Sequence, residues 1–395
     1  MINEKMYGLG SRRSVIREIF EYGNRRRAEI GADKVFDFSL GNPSVPAPCE
    51  VEQAILDLVQ HSDPVALHGY TSAQGDAGVR RAVAEDLNTR FGTSISPDSI
   101  YMTCGAAASL CITLRALTAT PDDEYITFTP FFPEYRVFVE AAGGKLVSVL
   151  SDPSDFQIDL AAFEAAITPN TKAVIVNSPN NPSGVVFTRE KLEAACALLK
   201  KKSKEYGHVI YLISDEPYRE LVYDGREVPF LVTLYDNTVV CYSFSKSLSL
   251  PGERIGYIAL SDKMEEERRV YAAVCGAGRA LGYVCAPSMM QRVAVKCLGK
   301  TADTSVYKTN RDLLFGALTE YGYTCIYPDG AFYLFVKSPE EDAGAFCLKA
   351  RDFELLLVPA DDFGTPGFVR IAYCVSTEQI QNALPSFKKL MESYR

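Results

Sequence analysis

Ser243-Phe244-Ser245-Lys246-Ser247-Leu248-Ser249-Leu250-Pro251-Gly252-Glu253-Arg254-Ile255-Gly256-Tyr257 follows directly on the run Thr238–Tyr242. That run is short and rich in β-branched and aromatic residues, so it predicts a buried strand. Past its end stands a lysine among hydroxyls, with an arginine eight residues on. An exposed loop lysine would account for Lys246 but not for its company.

Outward from this stretch the same rhythm repeats. Apolar runs at Tyr125–Phe128, Lys145–Leu150, Ala173–Asn177, Val209–Ser214 and Ile255–Ala259 alternate with helical patterns over 76–91, 106–118, 133–143 and 189–206. Strands alternating with helices predict crossover units, hence an α/β fold with a mainly parallel sheet between helices. Upstream lie an amphipathic helix over 13–31 and a short strand at Val35–Ser39. Past about residue 290 the rhythm changes. One long helix over 288–321 leads to strands at Phe332–Val336, Glu354–Val358 and Phe368–Tyr373, then a terminal helix from Thr377. This predicts a smaller α+β C-terminal domain over 286–395, a large domain over 46–285, and an N-terminal arm over 1–45 that belongs with the small domain.

Composition narrows the classes of function. With 47% hydrophobic and 23% charged residues, the 395-residue chain is an ordinary globular sequence of about two domains. The net charge of −9 argues against a nucleic-acid partner. The clusters Arg25-Arg26-Arg27 and Lys200-Lys201-Lys202 read as solvated helix faces. Eleven cysteines stand singly with no Cys-x-x-Cys pair, and the three histidines have no ligand spacing, so neither a disulfide framework nor a metal site is expected. Reduced thiols imply a cytoplasmic setting. Neither a signal-peptide core nor a run of about 18 apolar residues occurs, so no membrane is expected.

Ligands of parallel α/β sheets bind beyond the carboxyl ends of the strands. After Ala173–Asn177 comes Ser178-Pro179-Asn180-Asn181-Pro182-Ser183-Gly184, which by itself fits a tight turn. After Val209–Ser214 comes Asp215-Glu216-Pro217-Tyr218, where Asp215 is either a helix cap or a carboxylate for a cationic ring nitrogen. Ser243-x-x-Lys246 also matches the nucleophile motif of penicillin-recognising acyl enzymes. That alternative expects Ser243 to start a helix and a Lys-Thr-Gly on a later strand. Ser243 instead closes a predicted strand, and Lys308-Thr309-Asn310 falls in a helical stretch.

Asn-Pro-Ser-Gly, Asp-x-x-Tyr, Ser-x-Ser-Lys and Arg-x-Gly-Tyr, in this order and spacing, resemble class I and II aminotransferases, the fold type I, aspartate-aminotransferase-like enzymes that depend on pyridoxal 5'-phosphate. The resemblance runs across nearly the whole chain. It implies that Lys246 is the Schiff-base lysine and proton shuttle, and that Asp215 pairs with the ring nitrogen. Tyr218 and Asn181 then bond the cofactor's phenolic oxygen. Arg254, Ser243 and Ser245 are implied as phosphate ligands. So is Thr103-Cys104-Gly105-Ala106-Ala107-Ala108, whose backbone amides open a helix. This stretch has alanines at 106 and 107 where a hydroxyl residue is common. Phe132, in Pro130-Phe131-Phe132-Pro133-Glu134-Tyr135, matches the ring stacked on the pyridine, and Tyr70 matches a tyrosine lent to the neighbouring subunit's phosphate, which requires a homodimer.

On the substrate side, the resemblance implies that Gly41 approaches the substrate through its backbone and that Arg370 grips the α-carboxylate. An arginine inside the apolar strand Phe368–Tyr373 is costly without an anionic partner, which such pairing supplies. Arg279, 33 residues after Lys246, matches loosely an arginine that reads a side-chain carboxylate across the dimer. The implied activity is transfer of an amino group from an L-amino acid to a 2-oxo acid by a ping-pong route. A carbon–sulfur β-lyase or a decarboxylase on the same scaffold is the alternative. The lyase branch often carries His where Asn180 stands, which tilts the reading to transamination.

Overall fold

The computed structural model describes residues 1–11 and 15–395. Among the described residues thirteen strands form three sheets: β1 (Phe36–Asp37), β2 (Ile100–Thr103), β3 (Glu124–Phe128), β4 (Lys145–Val149), β5 (Thr171–Asn177), β6 (Tyr211–Asp215), β7 (Thr238–Ser243), β8 (Gly256–Leu260), β9 (Thr324–Ile326), β10 (Tyr333–Lys337), β11 (Leu355–Leu356), β12 (Val358–Pro359) and β13 (Phe368–Ala372). The central sheet runs β2-β8-β7-β6-β5-β3-β4. Its pairs are parallel except those that β8 makes with β2 and β7. The expected mainly parallel sheet is therefore present, and Ile255–Ala259 is its one reversed strand.

Alternate residues of β5 serve the two faces. Val174 and Val176 pack with Phe128, Phe163 and Leu192, whereas Ala173 and Ile175 pack with Leu110, Tyr135 and Val139. A strand covered on both sides has no polar face, which is why these runs read as continuously apolar. Helices cap themselves as the sequence dictates. Thr188 accepts from the Lys191 amide at the start of Arg189–Tyr206, and Gly207 closes that helix in the left-handed region.

The second sheet, β12-β13-β10-β9, is antiparallel throughout, and β1 pairs in parallel with β11. Several expectations need correction. Of the 13–31 helix, residues 13 and 14 lie outside the described residues, and Val15–Ile30 is helical. The strand expected at Val35–Ser39 shrinks to Phe36–Asp37. The long helix over 288–321 is two helices, Ser288–Lys296 and Ser305–Tyr321. Gly299 in the left-handed region breaks it, and Asp303 accepts from the Ser305 amide to start the second. The connector is used: the Ala302 amide donates to the Ser247 carbonyl at 2.7 Å, beside Lys246. Glu354–Val358 divides between β11 and β12, which belong to different sheets. Nor is the arginine cluster merely solvated, because Arg26 pairs with Glu354 and Arg27 with Asp37.

Candidate active site

The carboxyl ends of β5, β6 and β7 lie side by side, with Asn177 opposite Asp215 and Asp215 opposite Cys241. Beyond them opens a cavity of about 330 Å³, lined by Gly41, Ala106, Ala107, Phe132, Asn181, Asp215, Tyr218, Ser243, Ser245, Lys246, Arg254 and Arg370. Residues from seven separate stretches of sequence thus meet in one place. Phe131, by contrast, is core, at 2% exposure.

Lys246 sits on the short helix Phe244–Ser247 that Ser243 caps. Its Nζ donates to the Gly41 carbonyl at 2.7 Å and lies 5.3 Å from the centre of the Phe332 ring. Burial, then the positive Arg254 and Arg370, pull the ammonium down to about 8 against a partial counter-effect from Cys374. A fraction of this amine is therefore neutral near neutral pH.

Asp215 is 4% exposed. Its Oδ2 accepts from the Tyr135 hydroxyl at 2.5 Å, while Oδ1 is buried without a partner. Burial pushes its carboxyl up to about 7, with Glu216 adding to the rise and Tyr135 opposing it. A buried carboxylate oxygen with nothing to bond leaves a place for a cationic or N–H donor. One turn on, the Tyr218 and Tyr333 hydroxyls lie 2.9 Å apart.

Arg370 stands on β13, 3% exposed. Nη1 donates to Asn181 Oδ1 at 3.1 Å and Nη2 to the Ser39 carbonyl at 2.6 Å, and the guanidinium lies 4.7 Å from the Tyr333 ring centre. Nε has no partner among the described residues. Gly41 is fixed by this neighbourhood: a Cβ there would fall 1.9 Å from the Tyr333 hydroxyl.

At the other end, Gly105 begins the helix Ala106–Leu117 with no side chain capping it. A Cβ on Gly105 would lie 3.1 Å from Arg254 Nη2, so the glycine admits the guanidinium. Ser243 Oγ and Ser245 Oγ are 2.7 Å apart beside them. Free helix amides, two hydroxyls and an arginine make a seat for a dianion.

The pattern described as "Aminotransferase class I and II" matches residues 33–387. The chain belongs to the class I and II aminotransferases. An amino transferase from Eubacterium rectale of solved structure is 57% identical, superposes with a TM-score of 0.98, and is matched over 100% of this chain and 99% of that one. An aspartate aminotransferase of Thermotoga maritima is 32% identical over 91% of this chain and 92% of its own length. An aspartate/prephenate aminotransferase of Thermus thermophilus is 31% identical, covering 89% of each. The aminotransferase has the fold type I architecture of such enzymes and depends on pyridoxal phosphate. Transamination holds over the lyase and decarboxylase alternatives.

Two expected residues lie away from the cavity in this aminotransferase. Tyr70 is 98% exposed, and Arg279 is exposed at the end of the helix Glu267–Leu281. The acyl-enzyme alternative fails on the geometry of Ser243 and on the absence of a strand at Lys308. Ser243 closes β7 and also caps a helix, but its Oγ bonds Ser245 and the Ile255 carbonyl, while Lys246 reaches Gly41. Lys308-Thr309-Asn310 lies in a helix. Tyr135 and Tyr333 are site residues that sequence reading missed. Tyr135 had a signal, standing three residues past Phe132 at the start of a helix.

Proposed function

We propose that this aminotransferase carries pyridoxal phosphate on Lys246 and passes an amino group from an L-amino acid to a 2-oxo acid in two half-reactions. One observation carries the reading: the unpartnered Asp215 Oδ1 and the Lys246 amine, its pKa lowered by burial, line one cavity. The residues present fit the cofactor. Asp215 would hold the ring nitrogen, Phe132 the ring face, and Tyr218 with Asn181 the phenolic oxygen. Ser243, Ser245, Arg254 and the amides from Gly105 to Ala107 would hold the phosphate. When bound, the cofactor supplies an electron sink for the pair left when the α-proton departs.

The chain's own groups do the rest. Arg370 binds and orients the substrate carboxylate through its fork, with Asn181 fixing one arm. Lys246, once its amine is free, takes the proton from the substrate α-carbon and delivers it on the same face of the cavity. Asp215 stays ionised beside a cation and keeps it protonated. Gly41 offers its carbonyl to Lys246 Nζ and aims the amine.

The same reading makes the enzyme a cytoplasmic homodimer in which Tyr70 reaches the partner's phosphate seat. The free state of all eleven cysteines supports the compartment, and the exposure of Tyr70 supports the dimer. Divisions near residues 45 and 285 follow, supported by the pairing of β1 with β11. Arg279 reads a substrate's side-chain carboxylate across the interface. An Arg279→Ala variant should then lose aspartate turnover far more than alanine turnover, and equal losses would remove that role.

The direct test is Lys246→Ala. It should abolish turnover while retaining cofactor bound through Asp215 and Arg254, seen as absorbance that survives gel filtration. A panel of amino acids, each assayed for conversion of bound cofactor to its amine form in the native enzyme, then identifies the donor. Wild-type transamination by Lys246→Ala would overturn the assignment.

A further inference from the structure

Behind the cavity wall lies a second cluster of charges. The turn after β6 reads Asp215-Glu216-Pro217-Tyr218-Arg219. Asp215 and Tyr218 line the cavity, whereas Glu216 and Arg219 do not. Both of these are buried, at 4% and 5% exposure. Arg219 Nε donates to Glu216 Oε2, and Ser214 Oγ donates to Glu216 Oε1 at 2.5 Å. The guanidinium is boxed by the rings of Phe91, Phe230 and Tyr242, at 5.4, 5.1 and 4.6 Å, and donates to the Tyr257 hydroxyl at 3.1 Å. Its Nη2 is buried without a partner.

A buried ion pair is expensive to desolvate and is often no more stabilising than an apolar pair. Its placement gives it a use. Glu216 is the carboxylate next to Asp215 in the chain, and its charge raises Asp215. Left alone in a low-dielectric wall, a second anion there would drive Asp215 to its neutral form, unable to hold a protonated ring nitrogen.

We propose that Arg219 is a positioning residue that acts through Glu216, offsetting part of its charge so that Asp215 is held as a carboxylate when the cofactor arrives. The inference rests on the reading of Asp215 as the ring-nitrogen partner. Other titratable groups touch this system. Tyr135, Tyr218 and Cys241 face Asp215, and Glu220, Tyr242 and Tyr257 face Arg219. Glu220 is already occupied, accepting from Arg90 at 3.1 Å and from Tyr242 at 2.9 Å. It leaves Arg219 to Glu216. The phenols and the thiol stay neutral at working pH, because burial raises each of them.

The test is the dissociation constant of pyridoxal phosphate, measured by equilibrium dialysis from pH 5.5 to 9 on the full-length chain. The lysine's own titration is common to every variant. In Arg219→Gln the acid-side loss of affinity should move to higher pH by about one unit, the scale of one uncompensated neighbouring charge. In Glu216→Gln it should move the opposite way, because the lone Arg219 cation favours the carboxylate. The double variant should return to the native midpoint. A merely structural pair would lower thermal stability in all three and give no shifts of opposite sign. Should Arg219→Gln not fold, the downward shift of Glu216→Gln decides alone. Midpoints equal to the native one in the single variants would overturn the proposal. Asp215→Asn separates the two levels: an unchanged midpoint in that variant sinks the Asp215 assignment itself, whereas a lost acid limb there, with native midpoints in the others, sinks only the role of Arg219.

Discussion

Tyr333 joins three parts of the site, Tyr218, Arg370 and Gly41. Its hydroxyl meets Tyr218, its ring lies under Arg370, and the space for both exists because residue 41 has no side chain. Gly41→Ala should therefore lower kcat/KM by about tenfold or more by displacing the Tyr333 hydroxyl. Adding Tyr333→Phe should cost little further, since contacting residues are not additive. Steady-state kinetics on Gly41→Ala, Tyr333→Phe and the double variant checks this. Asp215 gives a pH-dependent expectation. Its folded carboxyl titrates at about 7 against an ordinary value of 3.8. Between roughly pH 4 and 7 the unfolded chain has lost a proton that the folded, cofactor-free chain still holds, so stability falls as pH rises through that window. Lys246, depressed to about 8, weakens the fold below that pH and ceases to do so only toward 10.5, so it leaves the window untouched. Cofactor-free Asp215→Asn should be more stable than wild type at pH 8 and gain nothing at pH 4, read as urea midpoints.

At the scale of elements, legibility followed locality. Lys246, Asp215, Asn181 and Arg254 were readable because each stands at or near a strand end and carries chemistry that a core does not need. Tyr135 and Tyr333 were not, because a buried tyrosine looks like any other core residue until its hydroxyl partner is known. β2 is four residues long, and nothing local marks it as a partner of β8. The run Glu354–Val358 hid the fact that its two halves serve different sheets. The break between Lys296 and Ser305 was obscured by apolar residues that continue the helical pattern across Cys297 and Leu298. Capping can be tested on an element remote from the chemistry. Thr188→Ala should cost about 1 kcal/mol of stability through loss of the cap on Arg189–Tyr206. Turnover at 25 °C should stay within twofold, checked by thermal melts beside assays.

Across the whole molecule the site is assembled from residues between Gly41 and Arg370, with Tyr70 proposed from the partner. Mixing is a direct check. Lys246→Ala and Tyr70→Ala chains, each impaired alone, should recover activity when refolded together, because a mixed dimer owns one site with both side chains native. No recovery would count against a shared site. The sheet order also sets a schedule during synthesis. Gly105 stands just past β2, whose neighbour in the sheet is β8, where Thr103 faces Gly256, 153 residues further along. At ribosomal rates of about 5–20 residues per second, that strand waits roughly 8–30 s for its partner. Asp215 and Lys246 leave the ribosome before β8 does. The nascent chain therefore carries the ring carboxylate and the lysine before it has a completed phosphate seat, and cofactor capture is a late event in the life of each new chain.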